Sequence, residues 1–213
     1  MVDGPRLTGR ERLADRAVHA LGLGLGVVGA IVLVGATATD GRPGDRAAVV
    51  VYAAGLLAML ACSAAYNVFD TGGRRELLRR LDHAAIFAMI AGTYTPFTVR
   101  LDSAWAWGLT TVIWTVATVG MVLKLLQPHR IEAISIALYL TLGWIGLAAA
   151  GPFAAALDDR TLGLLALGGI VYTAGVVFHL WRRLPYQNAI WHGFVLVAAT
   201  VHYMAVVGLI TDT

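Results

Sequence analysis

Residues 17–39 read AVHALGLGLGVVGAIVLVGATAT, an apolar run without a single Asp, Glu, Lys or Arg. A helix that crosses the hydrocarbon core of a bilayer needs about 20 predominantly apolar residues, so this run is long enough to span it. The run follows a basic segment, and residues 36–38 (ATA) imitate a signal-peptidase cleavage site. The apolar part of a signal peptide, however, is only about 7–15 residues long. We therefore expect an uncleaved first transmembrane helix.

The composition indicates that the rest of the chain is built in the same way. Apolar residues make up 58% of the 213 residues and charged residues 14%, and the mean hydropathy is +0.72. Soluble proteins carry about 25% charged residues. Further spans are predicted at residues 46–69, 82–99, 104–126, 131–151, 161–180 and 188–210. We expect an all-α, integral membrane seven-transmembrane helix bundle at residues 17–210, between a cytoplasmic tail at 1–16 and a short external tail at 211–213.

Turn-forming residues mark the boundaries between these spans. They lie at residues 40–44, 70–73, 127–128, 151–152, 158–159 and 184–185. Pro96 lies near the outer end of the third span, where the missing backbone N–H predicts a kink or an early stop. Glycines are frequent in the first and sixth spans, and we expect them to let neighbouring helices approach closely. Those expected to pack in this way are Gly22, Gly24, Gly26, Gly29, Gly168, Gly169 and Gly175.

The basic residues predict the orientation, because cytoplasmic loops of membrane proteins are enriched in Lys and Arg. Twelve of the sixteen fall on the side of the N-terminus, namely Arg6, Arg10, Arg12, Arg16, Arg74, Arg75, Arg79, Arg80, Lys124, Arg130, Arg182 and Arg183. The other four are Arg42, Arg46, Arg100 and Arg160. This bias puts the N-terminus in the cytoplasm and, with seven spans, the C-terminus outside.

The net charge of +3 and the pI near 9.3 do not indicate a nucleic-acid partner. The basic residues lie in short loops between apolar runs, where they orient helices rather than contact phosphates. Membrane lipids are the expected partners, and the sequence does not identify a protein partner. The single cysteine, Cys62, excludes an intramolecular disulfide.

Three of the predicted spans place polar side chains at the same depth, near the cytoplasmic side. Ser63 and Asn67 end the second span, Asp82 begins the third, and Asn188 and His192 begin the seventh. Residues four apart share one face of a helix, so each of the two spaced pairs can face a common site. Polar groups inside a bilayer are costly and are often functional. We predict that these residues form one polar site if their faces point inward.

Structural roles also remain open for these side chains. Asp82 can act as a helix N-cap alone, and the two asparagines can act as hydrogen-bond partners between helices. His83 can lie at the level of the lipid headgroups. His202, near the middle of the membrane, is interpreted as a packing histidine with a hydrogen bond. Neither His19 nor His129 shows a clear partner in the sequence.

Five segments resemble the hemolysin III family, which belongs to the wider progestin and adipoQ receptor superfamily. They are residues 63–69 (SAAYNVF), 80–87 (RLDHAAIF), 90–97 (IAGTYTPF), 168–175 (GGIVYTAG) and 190–196 (IWHGFVL). The resemblance extends over residues 11–210 and implies a bacterial plasma-membrane protein with seven helices and a cytoplasmic N-terminus.

The resemblance also implies a zinc site at the cytoplasmic end of the bundle. In the family pattern one histidine closes the second-helix motif, an H-x-x-x-H pair opens the seventh helix, and the third-helix aspartate contacts a zinc-bound water. The matching residues here are Asn67, Asn188, His192 and Asp82, with Ser63 in the second-helix motif. Asparagine is a poor zinc ligand, because Zn²⁺ prefers imidazole or thiolate. We therefore expect a degenerate version of the site with these four as metal positions, and Ser63 and Asp82 as candidate catalytic residues.

Three functions are compatible with these observations. The first is a non-enzymatic role in membrane or lipid homeostasis, served by a hydrogen-bonded polar site. The second, implied by the resemblance because related receptors are thought to hydrolyse ceramides, is a zinc-dependent membrane hydrolase of lipid amides or esters. The third is a pore-forming cytolysin, as the family's name suggests, although the sequence lacks a polar stripe that crosses the membrane. The sequence leaves both enzymatic activity and zinc binding open.

Overall fold

The computed structural model describes residues 8–39, 43–69, 72–127 and 134–211, and within these ranges all regular secondary structure is helical. The helices are α1 (Gly9–Thr39), α2 (Pro43–Val68), α3 (Arg75–Thr98), α4 (Ser103–Leu126), α5 (Ser135–Trp144), α6 (Ala150–Ala156), α7 (Asp159–Leu180) and α8 (Gln187–Thr211). Short 3-10 helices at Gly72–Arg74 and Ile145–Ala149 precede α3 and join α5 to α6. The predicted turns at 40–42, 70–71 and 128 lie outside the described residues, as do Arg6, His129, Arg130 and most of the external tail.

Six helical segments among the described residues are long and apolar enough to cross a membrane. They are Gly9–Thr37, Gly44–Val68, Ser103–Leu126, Ser135–Ala156, Asp159–Leu180 and Gln187–Thr211. Large apolar side chains stand exposed along them, for example Leu21, Ile31 and Val112. A soluble protein would bury such surfaces, whereas a bilayer accommodates them. The chain is therefore a multi-pass membrane protein.

Helix α3 is less apolar than these six segments, yet a larger share of its residues is buried than in any other long helix. Its first turns carry charged residues, among them Glu76 and Asp82. Further along it packs between α2 and α4, where Phe87 and Ala91 are fully buried. Tertiary contacts therefore hold α3 inside the bundle, over the residues 82–99 where the sequence predicts the third span.

The helices form a ring in chain order, which α1 and α8 close. Helices α2 and α3 bring their backbones close together, because a Cβ atom on Gly55 would lie 2.9 Å from the carbonyl oxygen of Ala88. Gly92 makes the reciprocal approach, 3.2 Å from the carbonyl oxygen of Val51. Small residues at these points let two backbones come together without a side chain between them.

The glycines of α1 and α7 mostly serve the packing role that the sequence predicts. Glycines at the following positions lie against a side chain of a neighbouring helix: Gly22 against Leu196, Gly26 against Leu60, Gly29 against Tyr203, Gly168 against His202, Gly169 against Trp144 and Gly175 against Phe194. Among the seven glycines predicted to pack, Gly24 is the exception, because a Cβ atom there would meet nothing within 4 Å.

The first helix begins at Gly9, earlier than the predicted start of the span at residue 17. The backbone N–H of Thr8 donates to the Glu11 carboxylate (2.7 Å), and the N–H of Glu11 donates to the Thr8 hydroxyl (3.3 Å). This reciprocal pair is a capping box, which satisfies amide groups at a helix start. Residues 9–16 are thus helical, and their side chains can face the bundle.

The predicted break at residues 151–152 is wrong. Gly151 and Pro152 lie in the first turn of α6, where a proline has no hydrogen bond to lose. The interruption comes earlier, in the 3-10 turn. There the Tyr94 hydroxyl of α3 donates to the Gly143 carbonyl (2.6 Å) and accepts from the Gly146 N–H (3.0 Å), so it satisfies backbone groups that the break releases. Pro96 behaves as expected, since α3 stops two residues after it.

An ion pair holds the end of the bundle opposite the N-terminus. Arg100 follows α3 and donates to the Asp45 carboxylate of α2 at 3.0 Å. The same guanidinium donates to the Leu209 carbonyl near the end of α8, also at 3.0 Å. A cation at a helix C-terminus is favourably placed relative to the helix dipole. Arg100 therefore ties α2, α3 and α8 together at this end.

We expect Gly55→Leu to destabilise the bundle, because the new side chain must force the α2 and α3 backbones apart. Overpacking of this kind costs about 1–3 kcal/mol. Thermal unfolding of the purified protein in detergent would show a lower melting temperature. Gly24→Leu is the matched control, since nothing lies near its Cβ position, and it should leave the melting temperature almost unchanged. Equal melting temperatures for the two variants would contradict the packing role of Gly55.

Candidate functional site

A large cavity of about 2100 Å³ runs through the bundle between α1, α2, α3, α5, α7 and α8. Its lining follows α3 from Arg75 to Phe97, a distance of roughly 30 Å at the rise of an α-helix. Arginines surround one end, including Arg12, Arg79 and Arg182. Towards the other end the lining is mainly apolar and aromatic. The cavity thus has a polar, basic mouth and a long apolar interior.

Two residues of α1 form the centre of a polar cluster just inside this mouth. Asp15 and His19 are four residues apart on one helix face, and they are only 3% and 7% exposed. The Nδ1 atom of His19 lies 2.8 Å from the backbone oxygen of Asp15. Because a carbonyl oxygen can only accept, Nδ1 must carry the proton and donate. In the neutral ring the Nε2 atom then keeps its lone pair, and it faces the Ser63 hydroxyl at 3.3 Å.

His192 of α8 joins this pair from the opposite side. Its Nδ1 atom lies 2.7 Å from Oδ1 of Asp15, a distance typical of a charge-assisted hydrogen bond. The two imidazole rings meet edge to face, with their centroids 4.2 Å apart. The Asp15 carboxylate therefore lies between two imidazoles, at 2.7 Å from one and 3.7 Å from the other.

Ser63 of α2 connects this group to the third helix. Besides facing His19, its backbone carbonyl accepts from the Asn67 side-chain amide at 2.9 Å, and its hydroxyl lies 3.5 Å from the same nitrogen. Asp82 of α3 lies close enough to Ser63 and to His192 to interact with both. Asp82 of α3, Ser63 of α2, His19 and Asp15 of α1 and His192 of α8 thus form one continuous polar network.

The five residues that the sequence places in one site all line this cavity. Ser63, Asn67, Asp82 and His192 belong to the network or contact it, and Asn188 lies one helical turn before His192 in the cavity wall. Their catalytic and metal-binding roles remain predictions.

The expectation that His19 has no clear partner is wrong, and Asp15 was not predicted at all. Both lie on α1, a helix from which no residue was predicted for the site. The pattern that could have indicated them is the spacing that indicated the site residues of α2 and α8. Asp15 and His19 lie four residues apart next to a long apolar run, so their carboxylate and imidazole share one helix face.

The other described histidines make separate contacts, and His179 lies close enough to His192 to interact with it electrostatically. His202 packs against Gly168, and its Nε2 atom lies 3.3 Å from the carbonyl oxygen of Leu165, which matches its predicted packing role. The His179 ring packs against Trp191 with centroids 4.9 Å apart. The backbone carbonyl of His83 accepts from the Tyr139 hydroxyl.

The zinc ligand set that the resemblance implies does not fit these residues. Asn67 occupies the second-helix position, and it uses its amide nitrogen to donate to the carbonyl group of Ser63. An amide nitrogen that donates has no lone pair for a metal, and its oxygen is a weak zinc ligand. Of the three family positions, only His192 offers an imidazole.

A family model described as Haemolysin-III related matches residues 13–203. The Hemolysin-3 homolog of Bacillus subtilis (strain 168) is 30% identical over 198 residues, which cover 92% of this chain and 93% of the relative. Hemolysin-3 of Bacillus cereus is 31% identical, with 96% of this chain and 94% of the relative covered. The Monocyte to macrophage differentiation factor of Homo sapiens is 29% identical over 73% of this chain and 67% of its own length. No solved structure matches the chain significantly.

The geometry predicts one tautomer for His19, with the proton on Nδ1 and none on Nε2. Solid-state ¹⁵N NMR of histidine-labelled protein in lipid would report this, with His19→Gln used to assign the signal. In the Asp15→Asn variant the His19 tautomer should persist, because its acceptor is a backbone carbonyl. The His192 signals should shift, because their partner is the altered carboxylate. An Nε2-protonated His19 would contradict the arrangement.

Proposed function

Because this chain belongs to the haemolysin-III related family, we propose that it is a seven-helix protein of the bacterial plasma membrane that serves lipid homeostasis. Its polar cluster would act at the cytoplasmic side of the membrane. The proposal rests on one observation, which is that the polar cluster opens into a long apolar cavity. A site of this form has a place for a lipid headgroup or carbonyl and a place for its hydrocarbon chain.

Helix α3 would supply the seventh span. It is 24 residues long, which at about 1.5 Å per residue exceeds the hydrocarbon thickness of about 30 Å. Its charged first turns would lie at the cytoplasmic surface, where Arg79 and Arg80 pair with Glu76 at 3.0 Å. These two arginines lower the pKa of Glu76 to about 2, so the carboxylate stays ionised at that surface. Seven spans with a cytoplasmic N-terminus leave the C-terminus outside.

The dimensions of the cavity suit a lipid chain. Its length is close to the thickness of the hydrocarbon core, and its volume exceeds the roughly 300–1,000 Å³ of a pocket for a drug-sized ligand. Residues deep in the lining include Phe97, Phe153 and Leu165, which match methylene groups and not ions. The arginines at the mouth suit the negative charge of a phosphate or carboxylate headgroup.

Hydrolysis of a lipid amide or ester is the second candidate. It is favoured by Ser63, whose hydroxyl lies between the His19 imidazole and the Asp82 side chain. In this position His19 can take a proton from Ser63 or from a water molecule, and Asp82 can orient the reacting group. Such chemistry would place the carbonyl group of the lipid at the cluster and its chain in the cavity.

A cytolytic pore is the least favoured function, although two relatives carry the name Hemolysin-3. A pore needs a polar path from one side of the membrane to the other. The polar cluster described above occupies one end of the cavity, and the lining beyond it is mainly apolar.

The proposed orientation can be tested with two exposed positions at opposite ends of the bundle. In a Cys62→Ala background, a thiol introduced by Leu77→Cys should react with a membrane-impermeant maleimide in inside-out vesicles and not in intact cells. Asp102→Cys, after the end of α3, should show the reverse pattern. Labelling of position 77 from outside the cell would overturn the orientation and with it the cytoplasmic location of the cluster.

The lipid role predicts that cells lacking the protein change the acyl composition of their membrane lipids. Wild-type protein should restore the composition, measured by mass spectrometry, and Ser63→Ala with Asp82→Asn should not. Ser103→Ala with Asp159→Asn is the matched control, because both residues are exposed and distant from the cluster. Release of free fatty acid from vesicles by wild-type protein, lowered at least 100-fold in Ser63→Ala, would identify hydrolysis as the activity. Unchanged lipid composition in cells without the protein would refute the lipid role.

A further inference from the structure

We propose that Asp15, His19 and His192 bind a divalent transition metal of the zinc class, so that two of the ligands come from the first helix and not from the positions that the family pattern implies. The inference concerns the polar cluster whose lipid role is proposed above, but it does not require any lipid to bind.

The three side chains are already close enough to share an ion. One ligand atom from each lies within 4.8 Å of the others. Atoms bound tetrahedrally at about 2.0–2.2 Å from one Zn²⁺ lie about 3.3–3.6 Å apart, so side-chain rotations that bring the three ligand atoms closer together would complete the coordination. Two imidazoles and one carboxylate also form a ligand set that catalytic zinc sites use, with a further position left for water or substrate.

The orientation of His19 is the one that a metal ligand adopts. Metal-binding histidines usually donate their other ring N–H to a carbonyl or carboxylate oxygen, which fixes the tautomer and directs the lone pair. His19 does this through Nδ1 and the Asp15 carbonyl at 2.8 Å. Its Nε2 lone pair consequently faces the space beside Ser63, at 3.3 Å from the hydroxyl oxygen.

The charge of the cluster also favours a cation. The Asp15 carboxylate is 3% exposed, and both ion-pair partners that the structure gives it are histidines. Asp82 brings a second carboxyl group close to His192. Burying carboxylates is costly unless a charge or a metal compensates them. A divalent ion at this point would neutralise the cluster, and neutral imidazoles would remain its ligands.

The experiment measures metal content directly. Full-length protein carrying a tag without histidines is purified in detergent, incubated with Zn²⁺, passed through a desalting column and analysed by mass spectrometry for zinc. Wild-type protein should retain about one zinc per chain. Asp15→Asn and His19→Gln should each lower the retained zinc at least tenfold. Asn67→Ala with Asn188→Ala should retain the wild-type amount, because these residues are not ligands in the proposed site.

His202→Gln is the matched control for the loss of a histidine, since His202 lines the same cavity away from the cluster. If a cluster variant fails to fold, X-ray absorption at the zinc edge of the wild-type protein decides the question. Two imidazoles in the first shell support the site, and one imidazole refutes it. Less than 0.1 zinc per wild-type chain, or full zinc retention in His19→Gln, would also overturn the proposal. None of these results depends on lipid turnover, so failure of the metal site is distinguishable from failure of the lipid role.

Discussion

The buried carboxylate of Asp15 makes the interaction on which the polar end of this bundle depends. It bonds His192 across the interface of α1 and α8, which are the first and last helices and which close the ring. Its backbone carbonyl orients His19, and His19 in turn faces Ser63 on α2. In a bilayer a polar group cannot exchange its protein partner for water without moving to the surface. One acidic residue therefore helps to fix the register of three helices, and Asp82 near Ser63 extends this to α3.

Apolar run lengths predicted seven spans, and six of them coincide with helices long and apolar enough to cross a membrane, because hydrocarbon thickness imposes a simple length requirement. The polar site was less predictable, and α1 shows why. The first span was predicted to begin at residue 17, where the run without charged residues begins. That prediction assigned Asp15 to the basic N-terminal tail and not to the bundle. The capping box of Thr8 and Glu11 extends the helix to Gly9 and turns Asp15 into a residue of the bundle. Local capping chemistry, and not hydropathy, thus decides whether this carboxylate belongs to the site.

Two further features could not be inferred from the sequence because they arise from contacts between helices. The third span was predicted at residues 82–99, but its close approach to α2 at Gly55 and Gly92 was not. The fifth span breaks where Tyr94 can satisfy the released backbone groups, and not at Pro152. The partner of such a break lies far away in sequence, so the local pattern of α5 and α6 does not reveal it.

Asparagines occupy two of the three positions at which the family pattern implies histidines, and the structure shows what one of them does instead. The Asn67 side-chain amide donates to the Ser63 backbone carbonyl, so this hydrogen bond lies within α2. The Ser63 hydroxyl is then left facing the His19 lone pair. Asp15 and His19 of α1 and His192 of α8 place one carboxylate and two imidazoles around one space. The polar centre therefore lies at the interface of α1 and α8, where it opens into the apolar cavity. A ligand that enters the cluster meets Asp15 and His19 of the first helix.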